Sequence, residues 1–332
     1  MRELPILDPR IPPWDKTDLT ERNCPVCGSA PAPARFRRPD GLDVYCCASC
    51  ATHVVSPAPS EAALASLYAS YDSKHSRNEL SLEELRRLLD GSSPFEDMRI
   101  RELATQLPLK RSKVLDVGFG RAGLLYQLKR LGADVYGVDL DESAHEFARG
   151  LGIEDTVHGD VHDLDPTLHF DAVLLNDVIE HPLLPLPLLR DCAARLAAGG
   201  ILLLWTPNGG TIESADDPVV LRVDLEHMQY LGTESCIRIA ELLGLRLIHL
   251  ETVGIADPSE YRNAKQGAFP EAVSRRSFRH TGKRWLRAVP GFSLANRIRK
   301  AFATSRSGDE FTQPGMEQRC GDFHLLAMFQ KP

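Results

Sequence analysis

Three acid or imidazole side chains crowd one short stretch of the chain, Asn176-Asp177-Val178-Ile179-Glu180-His181-Pro182. The stretch ends the apolar run FDAVLLNDVI, and Pro182 then breaks the chain. A strand from a deep core does not ordinarily end on an acid beside an imidazole, and histidine changes charge close to neutral pH. Three readings fit Glu180-His181. His181 could be a general base oriented by Glu180 or another carboxylate, a role that typically contributes about 10²–10⁴-fold. Asp177, Glu180 and His181 could instead hold a metal with His227, which stands in VDLEHMQYL; carboxylates suit Mg²⁺, imidazoles suit it less. Or the pair is structural, capping the next helix or bracing the loop with His227 packed beneath it.

A second group of reactive residues lies near the N-terminus. Of eight cysteines, Cys24, Cys27, Cys46, Cys47 and Cys50 fall within 27 residues, whereas Cys192, Cys236 and Cys320 are isolated. Two Cys-x-x-Cys knuckles, Cys24/Cys27 and Cys47/Cys50, each let two sulfurs turn toward a point about 2.3 Å away, two corners of a tetrahedron. The 19 residues between the knuckles suit a pair of short strands, and the whole resembles a zinc ribbon. Spacing makes Cys46 the spare, although strand alternation could exchange it with Cys47. Four thiolates close the shell, so the expected zinc is structural, contributing on the order of 10 kcal/mol to the folding of a piece too small to fold alone.

These groups need elements to position them. SPAPSEAALAS leads into helical patterning, which continues through SLEELRRLLDG and FEDMRIRELATQL, so helices are expected over residues 60 to 107. From residue 113, apolar runs without alternation interleave with helical stretches: KVLDVGFG, DVYGVDL, TVHGDVHDL, FDAVLLND, ILLLWTPN and LRLIHLETVG. Runs of that kind are strands buried on both faces, and their alternation with helices means a parallel, doubly wound sheet. Gly118, Gly120 and Gly123 spell G-x-G-x-x-G between a strand and a helix, and Asp139 ends the next strand, where it could accept from ribose hydroxyls. That much serves a dinucleotide dehydrogenase and an S-adenosylmethionine (AdoMet) enzyme alike. Asp116, inside the first strand, favours the second, because a carboxylate there opposes a pyrophosphate but suits a ligand ammonium. Asp160 in GDVHDL could meet an adenine amino group.

VLDVGFGRAG, VYGVDLDESA, GDVHDL, the D-x-x-E-H segment, the GG turn before ILLLWTPN, and HMQYLGTESCIRIAELLGLRL occur in order over residues 113 to 250, with FHLLAMFQKP as a matching last strand. At these motifs the chain resembles the class I AdoMet-dependent methyltransferases, in particular the group with ubiquinone-biosynthesis O-methyltransferases and many sugar and natural-product methyltransferases. The resemblance implies a Rossmann-like seven-stranded α/β sheet with helices on both faces. It implies that Gly118, Phe119, Gly120 and nearby backbone hold the methionine end of AdoMet, with Asp116 at its ammonium. It places Asp139 on the ribose, Leu140 against adenine, Asp160 and Val161 at the adenine edge, and Asn176 beside the sulfonium. Phe119 and Arg121 depart from the small residues common in that loop. Metal-dependent O-methyltransferases similar to this group carry E-x-x-E-H plus a later histidine for Mg²⁺; here Asp177 replaces the first glutamate.

With 332 residues the chain has room for this domain and an accessory module. The division expected is a zinc ribbon at 20–56, a helical bridge at 57–107, and a methyltransferase domain at 108–332 with an insertion at 256–319. A net charge of −7 argues against nucleic acid as partner, and no apolar run reaches membrane-span length, so a cytoplasmic protein is expected. Residues 275–306 carry ten Lys/Arg, no Asp or Glu, and interleaved Trp285, Leu286, Val289, Phe292, Leu294, Ile298 and Phe302. They read as a helical lid with a solvated basic face, or as a surface for an acceptor phosphate or an anionic lipid at the inner membrane face. The expected function is methyl transfer from AdoMet to oxygen of a sugar, glycan or secondary metabolite. C-methylation and phenol or quinone O-methylation are the alternatives. A non-catalytic AdoMet-binding scaffold, docking through the ribbon, is the alternative of another class.

Overall fold

The computed structural model of the chain describes residues 14–15, 17–38, 40–68, 80–212, 226–253 and 324–332. The expected basic insertion, and Cys320 after it, lie outside the described residues.

Seven strands form the central sheet: β6 (Lys113–Val117), β7 (Asp134–Asp139), β8 (Thr156–His158), β9 (Phe170–Asn176), β10 (Leu196–Pro207), β12 (Arg246–Val253) and β13 (His324–Gln330). Their order is β12-β13-β10-β9-β6-β7-β8. β8, β7, β6, β9 and β10 run parallel, and β13 inserts antiparallel between β10 and β12. The apolar runs behave as their lack of alternation requires. In β9 and β10, Val173, Leu175, Leu202 and Leu204 face one core, while Ala172, Leu174, Ile201 and Leu203 face the other. Helices α3 (Met98–Gln106), α4 (Gly123–Arg130) and α5 (Glu142–Gly150) cover the second face through Ile100, Leu103, Leu125, Leu128 and Ala148. Helices α6 (Pro185–Ala194) and α7 (Thr233–Leu243) cover the first through Leu189, Cys192, Cys236 and Ile239.

The stretch expected to be helical contains α1 (Glu61–Tyr68), α2 (Leu82–Gly91) and α3. Ser81 caps α2 through a reciprocal bond with Glu84, an S-x-x-E box legible in the sequence.

The cysteine segment builds a hairpin from β2 (Phe36–Arg37) and β3 (Asp43–Cys46), continued by β4 (His53–Val55), while β1 (Leu19–Thr20) and β5 (Ala58–Pro59) pair antiparallel with each other. A fourth strand joins from far along the chain: β11 (Gln229–Tyr230) pairs antiparallel with β4, placing Tyr230 opposite His53. Cys24, Tyr45, Cys47, Cys50 and Val54 bury into the same core as Leu231, Cys236 and the first face of the large sheet. The two sheets therefore share apolar packing through residues 226–240.

Candidate functional site

Strand order reverses between β6 and β9, and ligands of open α/β sheets bind in the crevice at the carboxyl ends of the strands beside such a switch point. Gly118 adopts φ +70°, and a Cβ there would lie 2.6 Å from Val178, so glycine is required twice over. Gly120 adopts φ +51° with open space where a side chain would stand, leaving its backbone approachable. Ala122 begins α4 with φ 58° and no side-chain cap, so first-turn amides of that helix are available to a ligand. Asp139 accepts from the Gly120 amide at 2.8 Å through one carboxylate oxygen and from the Asp141 amide at 2.9 Å through the other, tying the first loop to the second. Leu140 beside it is 76% exposed, an apolar side chain presented for a flat ring to cover. His158 and His145 brace this corner, their Nε2 atoms 3.0 Å from the Leu140 carbonyl and 3.3 Å from that of Asp139.

Asp116 is buried, and Asn176 donates to it at 2.8 Å. Burial pushes its carboxyl up to about 7, the amide of Asn176 and the charge of Arg99 acting the other way. Arg99 had no signal in the sequence. It projects from α3, pairs with Asp97 at 2.6 Å, reaches the Asn176 amide oxygen at 3.4 Å and lies over Trp205. The crevice thus offers a carboxyl lacking a full counter-charge and a guanidinium close to it, the pattern a zwitterionic amino-acid moiety needs. Asp160 is exposed after β8, whereas the Val161 side chain is buried in the core. The Phe119 ring is buried too, edge-on to His145, in the space left by Gly137, where a Cβ would come within 2.5 Å of it. Arg121 places its guanidinium over the Phe147 ring.

After β9 the chain turns at Asp177, an exposed residue with φ 51°, and buries Glu180 completely. Glu180 was one expected orienter of His181, but its carboxylate accepts from Thr206 at 2.9 Å and faces His227 at 3.9 Å. The acid beside His181 is Glu226, 3.8 Å from Nδ1 and itself buried. The His181 and His227 rings meet edge-to-face with centroids 4.6 Å apart. Two imidazoles in contact thus stand between two acids, in the order Glu226, His181, His227, Glu180. Burial, reinforced by the charge of Asp177, pushes the Glu180 carboxyl well above its ordinary range. His181 retains 22% side-chain exposure, which makes it the imidazole reachable by an acceptor. Helix capping by the pair is not observed: Leu184 is the N-cap residue of α6, with no side-chain cap bond.

Glu180, His181 and His227 bring ligand atoms within 4.8 Å of one another, and Asp177 is not part of that group. One carboxylate and two imidazoles form a poor set for Mg²⁺, which prefers oxygen, so these residues do not fit the magnesium site expected from D-x-x-E-H.

The four knuckle sulfurs fit zinc. Cys24 and Cys50 lie 3.5 Å apart, Cys27 and Cys47 3.4 Å apart, and all four sulfurs fall within 4.8 Å. A tetrahedron with Zn–S near 2.3 Å has edges of about 3.8 Å, whereas a disulfide would draw sulfurs to about 2 Å. Both knuckles close alike: Gly28 (φ 76°) donates to the Cys24 carbonyl, and Ala51 (φ 54°) donates to that of Cys47. Cys46 turns its sulfur to the Ala51 carbonyl, outside the cage.

Residues 82–250 match the family model described as a methyltransferase domain. The chain is 37% identical over 118 residues to a ubiquinone biosynthesis O-methyltransferase of Xanthomonas oryzae pv. oryzae, covering 33% of this chain and 49% of the relative. The counterpart from Xanthomonas campestris pv. campestris is 36% identical over the same length and coverage. The chain therefore spans about half the length of these curated relatives. Among solved structures, a SAM dependent methyltransferase from Archaeoglobus fulgidus aligns with TM-score 0.46 and 19% identity, over 74% of this chain and 96% of that one. With the family model matched over half its length, the chain belongs to the methyltransferase domain family.

Proposed function

We propose that the protein transfers the methyl group of AdoMet to a hydroxyl of a small or medium acceptor, with a sugar, glycan or secondary metabolite as the substrate class. The observation that carries this reading is the convergence of Asp116, Asn176 and Arg99 with the Gly120–Asp139 bond at one crevice, with the partly exposed His181 in the segment that follows β9. The likeness to O-methyltransferases favours oxygen as the acceptor atom.

AdoMet brings a methyl on an already activated sulfonium, so alignment and acceptor basicity are what the chain must supply. Asp139 takes the ribose hydroxyls, Leu140 covers adenine, and Asp116 with Arg99 holds the ammonium and carboxylate. His181 receives the acceptor's proton as its oxygen bonds to the methyl and the carbon–sulfur pair leaves with sulfur. Glu226 holds that imidazole in place and stabilises its charged form. The same base would give an enolate for transfer to carbon. The four knuckle cysteines would hold a structural Zn²⁺.

Incubation with AdoMet labelled in its methyl group and fractionated small-molecule extract tests the reading. Label is expected in a product that loses it on ether cleavage. No release of S-adenosylhomocysteine from any fraction, despite its binding, would point to the scaffold alternative.

A further inference from the structure

Arg38 is fully buried, comes from the cysteine segment, and ends at the acid–histidine group. Its Nε and Nη2 pair with the two oxygens of Asp40, at 3.2 and 2.5 Å. Asp40 in turn accepts from the Trp14 indole at 2.7 Å and the Leu42 amide at 3.3 Å. The remaining arm, Nη1, donates to the His227 carbonyl at 2.5 Å and to the Tyr230 hydroxyl at 3.2 Å. Tyr230 meets the His227 ring edge-to-face at 5.9 Å, and His227 meets His181.

A second arginine does parallel work. Arg22 donates to the Leu183 carbonyl at 2.8 Å, the Gln229 side chain at 3.1 Å and the Met228 carbonyl. Gln229 closes the figure by donating to the carbonyls of Ile179 and Pro182, both at 2.8 Å. The segments that carry Glu180-His181 and Glu226-His227 are thus fastened to each other by Gln229, and to the cysteine segment by Arg22 and Arg38. Burying a guanidinium is expensive unless its donors are used. An apolar side chain could fill the same space, but it could not grip a carbonyl.

We propose that Arg38 is a positioning residue that fixes His227, and through it His181, on the acceptor side, so that the cysteine ribbon is a built part of the reaction site. The inference rests on the reading of His181 and His227 as acceptor-side residues. It requires that loosening the clamp disturb residues 226–230 and 179–183 while leaving the cofactor loops intact.

Backbone hydrogen exchange on the full metal-bearing chain tests this with Arg38→Met and Arg38→Lys. Arg38→Met is expected to raise exchange at 226–230 and 179–183 by about tenfold or more, from the loss of charge-assisted bonds. Exchange over 113–140 and S-adenosylhomocysteine affinity should stay within about twofold. Arg38→Lys, whose ammonium can still bridge Asp40 and the His227 carbonyl, should recover most of the protection. Three results would overturn the proposal: unchanged exchange at 226–230 in Arg38→Met, an equal rise over 113–140, or a lysine variant indistinguishable from methionine. Failure of the unsubstituted chain to bind S-adenosylhomocysteine would strike the functional reading instead and leave the clamp measurable.

Discussion

The side-chain amide of Asn176 donates to the carboxylate of Asp116 at 2.8 Å, joining the carboxyl ends of two adjacent strands. The amide is the single side-chain hydrogen bond described for a carboxyl that burial pushes up from 3.8 to about 7. A ligand ammonium placed beside this carboxyl would favour its ionised form.

The pH dependence has a definite sign. With the folded value above the unfolded one, the contribution of Asp116 to stability is full below the ordinary carboxylate range and is lost as pH rises through about 7. Asp139, also raised by burial, acts in the same direction. A ligand ammonium reverses the preference, so S-adenosylhomocysteine should bind about tenfold tighter at pH 8 than at pH 6. Asp116→Asn should flatten that slope, as calorimetry at several pH values would reveal; an unchanged slope would contradict the assignment.

His181→Ala should lower kcat by about 10²–10⁴-fold with little effect on cofactor affinity. Glu226→Gln should lower kcat less, because the imidazole loses the carboxylate 3.8 Å from its Nδ1. Steady-state kinetics on any identified acceptor checks both. Adding Mg²⁺ should change neither rate, since the buried set is poor in oxygen.

Zinc analysis distinguishes the cysteines. Cys27→Ser should lower zinc content and melt the ribbon, whereas Cys46→Ser should retain zinc, with stability within about 1 kcal/mol of the parent. Because β11 pairs with β4, removal of the metal should also expose residues 226–230 to proteolysis. Retention of that protection in metal-free protein would contradict the shared packing.

Phe119 and Gly137 are a matched pair. Gly137→Ala should destabilise the chain by about 1–3 kcal/mol, since its Cβ meets the Phe119 ring. Adding Phe119→Leu should recover much of that loss, and chemical denaturation of the three variants measures the coupling.

Much of the fold was legible because strands buried on both faces must be apolar without alternation, and β6, β9 and β10 are. The loops at the switch point were legible because their parts are local: Asp116, Gly118 and Gly120 are near neighbours, and Asp139 follows within one strand–helix–strand unit. Phe119 looked out of place because the compensating residue, Gly137, lies on the next strand. The acid–histidine group was only half legible. Glu180 and His181 are adjacent in sequence yet bury in different directions, so each takes its partner from the 226–227 turn. Arg38 was invisible for the same reason, with its acceptor 189 positions away. Long-range pairs of this kind depend on how two sheets dock, which no local spacing encodes.

Calorimetric titration of the full chain with S-adenosylhomocysteine tests whether the crevice binds AdoMet. Saturable binding is expected, weakened about 10–100-fold by Asp139→Ala, which removes the carboxylate proposed to meet the ribose. No heat at millimolar concentration, while NADH binds, would exclude AdoMet as the ligand of this crevice.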